Sequence, residues 1–569
     1  MRNHWFWRVL AAASLIVGAP AAAAQDLVLT NVHVLTMASD QVLLNHTVVV
    51  RDGLIAEITQ EAQQPDGVYV VDGAGAWVVP GLIDAHVHID HPQDLEVFPL
   101  YGVTTVVNMR GLPWHLTLRE KARGGGLIAP DFITSGDYLD GNPPNMLPMT
   151  VLSSPEDARE TVIREKLAGY DFIKVYSELS RPQYQAICAT AREVGLAVAG
   201  HIPDAVSLDD VLTCPHRNIA HGEQAFKLLN DRQDPEEISA LLEALKQAEV
   251  TLTANHQLLR MTAAMPAGLD DLLGNPAREL LHPVSLQPYR PGFNRYARRD
   301  QAWVGRALRS ADDVAAIAGI AGALAPQLLI AGTDTPVPGA YPGASLVGEL
   351  LAYEAAGLDT RTALKTATAY AGKLVAALAP DFPRVGVLEP GARADLLMIE
   401  KDPRDGLAAL KTPKAVVLRG RWLGAEDLTA HRDRLARINR AAEPKVSALT
   451  KLIFAGDPEA ANALFDEYRA QDPAGRYFSQ YPAFFYGFRW LYGEEGLTRD
   501  PAAAALAVQH YRLYRKQYPE FHSAHHVYGL ALEAAGDLKA AATAQRRALA
   551  ITPRYHPALE ALERLALRP

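Results

Sequence analysis

Four histidines, a lysine and an aspartate are spaced along this chain as metal ligands would be: His86, His88, Lys174, His201, His221 and Asp334. His86 and His88 close the run G-L-I-D-A-H-V-H. Lys174 lies in D-F-I-K-V-Y, His201 in A-V-A-G-H, His221 in N-I-A-H-G, and Asp334 ends L-L-I-A-G-T-D. Imidazole nitrogens and carboxylate oxygens are the donors that Zn²⁺ accepts. Two such ions about 3.5–4 Å apart can share a hydroxide and clamp both the attacking and the leaving group of a displacement. Side chains two apart on a strand share a face, so His-x-His can hold one cation from a single strand.

Such ligands need elements that end where the ligands begin. Between residues 81 and 384, short apolar runs alternate with helical stretches. The runs at 82–89, 102–109, 130–136, 171–176, 197–202, 218–222, 250–256 and 328–334 read as strands, and amphipathic stretches at 155–168 and 181–194 read as helices. Eight strand–helix units in about 300 residues suit a TIM-type (β/α)8 barrel, whose active sites lie at the carboxyl ends of the strands. Residues 257–305, rich in Pro, Arg and Tyr, are too long for a plain connection and are expected to form a lid or a substrate wall. Residues 26–80 and 385–425 each read as short strands, with Asp52-Gly53 as a tight turn. Neither piece can bury a sheet face alone, so one composite β-sandwich built from both is expected, with the barrel inserted between them.

Taken in order, P-G-L-I-D-A-H-V-H (80–88), I-K-V-Y (173–176), G-H-I-P (200–203), A-H-G (220–222), A-G-T-D (331–334) and the late segment G-V-L-E-P-G-A-R-A-D-L-L-M-I (386–399) resemble the amidohydrolase superfamily, in its imidazolonepropionase-like and metal-dependent dipeptidase branch. The resemblance covers roughly residues 26–425. It implies a hydrolase of an amide C–N bond with two Zn²⁺ per chain and an attacking hydroxide shared between them. It also implies roles for each residue: His86, His88 and Asp334 on the more buried metal, His201 and His221 on the second, and Lys174 carboxylated as the bridge. Asp334 would be the general base and then the general acid. His256, Tyr138, Tyr176 and Arg110 follow strands at the same mouth and are substrate-binding candidates, whereas His91 and His115 read as solvent-facing or loop residues.

Two departures from the family bear on substrate. Gln224 stands where some peptide-cleaving relatives carry a tyrosine, which weighs against a plain dipeptidase. Deaminase-like relatives show His-x-x-Glu and lack the lysine. This chain has His201-Ile-Pro-Asp204 together with Lys174, which weighs against the alternative of a mononuclear deaminase or imidazolone-type ring hydrolase. A further alternative is a periplasmic peptide-binding or scaffold protein with a relict barrel.

At 569 residues the chain exceeds a single core. Hydrophobic content of 49% with 21% charge excludes a disordered chain. A net charge of −10, with no basic stripe interleaved with aromatics, excludes nucleic acid as the partner. Arg2 and Arg8, the apolar run Val9–Val17 and Ala22-Ala23-Ala24 read as a signal peptide over 1–24. Its removal takes away two arginines and no acid and leaves −12. The mature chain is then expected to be secreted, into a bacterial periplasm, with no membrane span. The two cysteines, Cys188 in a predicted helix and Cys214 in a predicted loop, read as buried free thiols.

Residues 430–569 are Ala-rich and helical by pattern. Pro519 and Pro553 are 34 residues apart, and Gly529, Gly536, Ala541 and Ala548 match the small-residue spacing of a tetratricopeptide repeat. Gly456, Ala461, Phe465 and Pro473 repeat part of it. Repeats of this kind present a groove for a peptide or protein partner. The small-molecule or short-peptide substrate itself belongs to the barrel.

Overall fold

The computed structural model describes residues 26–566, apart from 61–66, 142–148, 230–233, 291–293, 479, 494–495 and 554. The leader expected at 1–24 lies outside the described residues. The architecture is mixed α/β followed by a helical C-terminal region.

Eight parallel strands carry the fold: β1 (Leu82–Val87), β2 (Val103–Asn108), β3 (Asp131–Thr134), β4 (Phe172–Val175), β5 (Ala197–Gly200), β6 (His216–Ala220), β7 (Thr251–Thr253) and β8 (Leu329–Ile330). β1, β2 and β3 form one parallel sheet, and β4 to β8 run in order in a second, which the two-residue strands Leu139–Asp140 and Thr150–Val151 extend beyond β4 to seven. Parallel bridges Ser135–Phe172 and Val87–Thr335 link the end of β3 to β4 and the end of β1 to the segment after β8. β1, β2 and β4 are buried along their whole length because both faces are covered. Ile83, Val107, Ile133, Phe172, Ala199 and Ile330 share one cluster with the helix Ala369–Leu378. Ile173, Val198, Ile219 and Leu252 belong to the large cluster formed with the connecting helices.

The helices Pro155–Ala168 and Arg181–Val194 stop at Gly169 and Gly195, each with positive φ, where a side chain would be strained. Cys188 in the second helix is bonded to Cys214, which caps the helix Leu208–Thr213. This corrects the expectation of free thiols. The two residues are 26 apart in sequence, but their Cα atoms lie 5.0 Å apart because consecutive connecting helices pack side by side. That is within the reach of a disulfide.

Strands from both ends of the α/β region make one eight-stranded sheet. Leu27–Leu35, Val42–Arg51, Leu54–Thr59, Tyr69–Asp72 and Trp77–Pro80 come from the first end, and Leu396–Ile399, Ala415–Leu418 and Arg421–Leu423 from the second. Trp77–Pro80 pairs antiparallel with Leu396–Ile399. The period-2 alternation sends Leu396 and Met398 into the sheet's own core and Leu397 and Ile399 into the main one.

Beyond residue 425 the described elements are helices and one two-residue hairpin. The 31-residue helix Ala425–Ala455 lies against the α/β region. His431 Nε2 bonds Glu96 O (2.8 Å), Arg434 pairs with Glu96, and Asn439 donates to Glu279 O (2.9 Å). Gly529 sits where a Cβ would meet Gln545, and Ala541 and Ala548 are fully buried, so the helices 522–534 and 538–551 pack through small residues. No helix among the described residues is long and apolar enough to cross a membrane.

Candidate metal centre

Five of the six candidate ligands sit within two residues of a parallel-strand end, and the sixth, Asp334, closes the turn that follows β8. Lys174 shares a face with Phe172 on β4, while Ile173 and Val175 point to the outer helices. Gly200, at the end of β5, has φ +136, and a Cβ there would lie 2.2 Å from Val175 O and 3.1 Å from Lys174 Cδ. Only glycine lets the backbone pass the lysine so closely. His221 and Asp334 follow β6 and β8 with φ of 71 and 56, an uncommon region for residues with a side chain.

The six residues line one cavity of about 390 Å³. His88 Nε2 lies 2.7 Å and His86 Nε2 3.2 Å from the same Asp334 Oδ1. The ring centroids of His86 and His221 are 4.6 Å apart, and those of His201 and His221 are 5.0 Å apart. Ser177 Oγ meets His201 Nδ1 at 3.0 Å, and Tyr176 stacks on the ring at 3.9 Å, which leaves Nε2 directed elsewhere. Tyr138 Oη reaches His88 Nδ1 at 3.3 Å.

Burial, then the Lys174 charge, pulls His86 well below the usual imidazole range. Burial and His221 do the same to His201, and burial brings His221 down to about 4. Burial lowers Lys174 to about 7. Burial opposes ionisation of Asp334, yet the imidazoles of His86, His88 and His221 around it hold its carboxyl well below the usual range. Asp334 is thus a carboxylate beside the neutral imidazoles of His86, His201 and His221, the protonation state that metal ligation requires.

A metal is expected of such a set, and the residues fit one. Among the described residues, neither ring nitrogen of His86 nor Lys174 Nζ has a hydrogen-bond partner, although all are buried. Unpartnered buried polar atoms are costly unless something absent from the chain satisfies them. His86, His88 and Asp334 present ligand atoms within 4.8 Å of one another.

Of the four substrate candidates, Tyr138 and Tyr176 line the cavity. Arg110 and His256 are not brought to it. Arg110 Nε bonds Asp137 (3.0 Å), and its guanidinium lies 5.2 Å from the ring centres of both Phe521 and Tyr138, behind the cavity wall. His256 begins the helix His256–Ala264, with its backbone N–H on Glu349 and Nε2 beside Arg260. His115, expected at a surface or in a loop, is buried on the helix Pro113–Arg123, with Nε2 on Ile89 O at 2.7 Å. His91 stacks on His282 at 3.9 Å. Asp204 pairs with Lys227 at 2.5 Å.

The cavity also has walls that no motif announced: Asn294, Arg295 and Arg298 from the long segment after β7, and Phe485 and Tyr486 from the helical region. The Pro/Arg/Tyr-rich composition signalled a wall in the first case.

No family model matches the chain. It is 44% identical over 46 residues to dihydroorotase of Anaeromyxobacter dehalogenans (strain 2CP-C), covering 8% of this chain and 11% of that protein. It is 40% identical over 111 residues to imidazolonepropionase of Ralstonia nicotianae, covering 18% and 25%. The chain therefore spans a quarter or less of these curated relatives. Among solved structures, it is similar to a bottromycin amidohydrolase with 27% identity and a TM-score of 0.57, covering 73% of this chain and 90% of that one. It also shares the fold of a Xaa-Pro dipeptidase (TM-score 0.54, 16% identity, 70% and 100% covered). These proteins are hydrolases acting on C–N bonds, and the likeness supports a place in the amidohydrolase superfamily.

Proposed function

We propose that the chain is a metal-dependent amidohydrolase cleaving an amide C–N bond in a small peptide, N-acyl amino acid or cyclic amide. One observation carries this reading: His86, His88, Lys174, His201, His221 and Asp334 line one cavity, with buried nitrogens that no protein group satisfies. In this reading the two parallel sheets are one closed (β/α)8 barrel, and the site lies at the carboxyl ends of its strands. Two Zn²⁺ are proposed, and bound there they would supply Lewis-acid polarisation of the scissile carbonyl and of water.

Lys174 serves in this scheme as a carboxylated residue. Burial brings its amine down to about 7, so a large share is free base at neutral pH; that form adds CO₂ with loss of one proton and becomes an anion with two donor oxygens. Asp334, held ionised between His86 and His88, accepts the proton of the attacking water and delivers it to the leaving nitrogen. Tyr176 and Ser177 hold His201 in place, and Tyr138 holds His88. The Cys188–Cys214 bond supports an extracytoplasmic location, where disulfides persist. The helical region is proposed to be a tetratricopeptide-like unit.

The reading is tested by metal analysis of the native chain and of Lys174→Ala, followed by a screen of dipeptides, N-acyl amino acids and lactams. Two metals per native chain, and loss of both metal and turnover in the variant, are expected. A Lys174→Ala chain with full metal and rate would sink the dinuclear scheme. One metal per chain would favour the mononuclear deaminase alternative. The Asp204–Lys227 pair counts against that alternative, because it ties up the acid that stands at the deaminase position.

A further inference from the structure

The histidine cluster forms one side of the cavity, and two segments outside the parallel strands form another. Arg295 and Arg298 come from the segment after β7, and Phe485 and Tyr486 from the helix Gln480–Tyr486. Arg295 has no carboxylate within ion-pair distance among the described residues. Its Nη2 donates to Tyr296 Oη at 2.7 Å, and its charge is felt at Tyr176 and Asp334. A guanidinium placed so in a concave site suits a substrate carboxylate, which it can bind through two parallel N–H bonds.

Phe485 leaves 38% of its surface exposed although it lines the cavity. Phe484 and Phe488 flank it at 5.2 and 5.7 Å and fix its ring. Tyr486 is held by Phe454, edge to face at 4.8 Å with Oη on the Phe454 carbonyl (3.3 Å), and by the Arg489 guanidinium 4.4 Å from its ring centre. Both rings are therefore set in place before any ligand arrives, which lowers the cost of binding. A cavity of about 390 Å³ is of the size that holds a small molecule.

Resting on the amidohydrolase reading, we propose that the C-terminal helical region is the specificity wall of this active site: Phe485 and Tyr486 take an aromatic or large apolar group of the substrate, and Arg295 takes its carboxylate. The substrate class is then an N-acylated aromatic or large aliphatic amino acid, or a dipeptide ending in one.

The test compares the full-length protein with Arg295→Gln, Phe485→Ala and Phe485→Leu, with metal content measured for each. The probes are N-acetyl-L-phenylalanine, its carboxamide, N-acetyl-L-alanine and glycyl-L-phenylalanine. The native protein is expected to prefer the carboxylate to the carboxamide, and phenylalanyl to alanyl, by about tenfold each in kcat/KM. Arg295→Gln raises KM for the carboxylates about tenfold and leaves the carboxamide unchanged. Phe485→Ala abolishes the side-chain preference, Phe485→Leu restores part of it, and metal content stays at the native level throughout. Calorimetric binding of the same compounds reads the wall without turnover. If no probe is cleaved but binding still follows Arg295 and Phe485, the amidohydrolase reading fails and the wall stands. A native protein indifferent to carboxylate and side chain in both measurements, or variants that match it, overturns the proposal.

Discussion

His221 and Asp334 hold backbone conformations that cost of order 1–3 kcal/mol for residues bearing a side chain, and such strain concentrates where function over-determines geometry. Asp334 also sits between two imidazoles as the one carboxylate of the trio. Asp334→Asn keeps size and one oxygen but loses the proton acceptor, so turnover should fall about 10²-fold or more, measured beside metal content that is largely retained. Native turnover in that variant would move the proton transfer to another group. The ligand candidates were legible in sequence because each follows an apolar run that can only be a buried strand, so composition and position mark the residue together. Arg110 and His256 follow strands equally well, yet neighbours divert both. Arg110 is drawn to Asp137 and Phe521, and the His256 backbone to Glu349. A strand-end position selects a mouth but not the direction of a long side chain. Composition marked the segment that holds Arg295 as a wall but not Arg295 itself, since the wall is completed by packing between segments about 190 residues apart.

At the scale of elements, helices 155–168 and 181–194 fall where sequence periodicity put them, because serine caps and terminal glycines bound both. β8 is shorter than the 328–334 run suggested. The regular strand stops at Ile330, and the chain continues as bonds from Ala331 and Asp334 to its neighbours. Gly200→Ala should lower thermal stability by about 1–3 kcal/mol and release metal, as the new methyl group collides with Val175 and presses on Lys174. Retention of native Tm and metal would show that β4 and β5 can part more easily than this. His216, at the start of β6, accepts from Tyr184 Oη at 3.0 Å on one nitrogen and bonds Asn218 O at 3.0 Å with the other. Burial lowers it to about 4. The folded value is depressed, so its contribution is complete above pH 6.5 and is lost as pH falls towards 4, by about 3 kcal/mol at that point. His216→Gln should therefore lose less Tm between pH 7 and pH 4.5 than the native chain, and an equal loss would place the titrating group elsewhere. Sequence left the cysteines as free thiols, since neighbouring helices are needed to bring Cys188 to Cys214. Replacing both by alanine should cost about 3.5 kcal/mol for a closed loop of this length, read as a fall of several degrees in Tm.

At the scale of the whole molecule, the active-site wall depends on how the helical region is docked. The segment after β7 lies between the parallel strands and the helix Ala425–Ala455. It is fixed to that helix by Gln287 Nε2 on Thr450 Oγ1 (2.8 Å), Arg290 on Glu443 (2.6 Å) and Asn439 Nδ2 on Glu279 O (2.9 Å). The Gln287–Thr450 bond is buried, and its loss costs about 0.5–1.5 kcal/mol, since Gln287 Nε2 keeps the Tyr477 carbonyl at 3.4 Å. The exposed side of the Arg290–Glu443 pair makes that contact worth far less. The docking therefore rests on the buried bonds rather than on the charges. Asn439→Ala combined with Thr450→Val should loosen the segment without touching a ligand residue. Backbone amide exchange over 286–290 and 294–298 should then quicken by about tenfold or more, the equivalent of 1.4 kcal/mol, and KM should rise while metal content holds. If exchange quickens across β4 to β6 as well and metal is lost, the helical region supports the metal centre itself and not its wall alone. If exchange is unchanged, the segment is held from the strand side, and the helical region meets the site only through Phe485 and Tyr486.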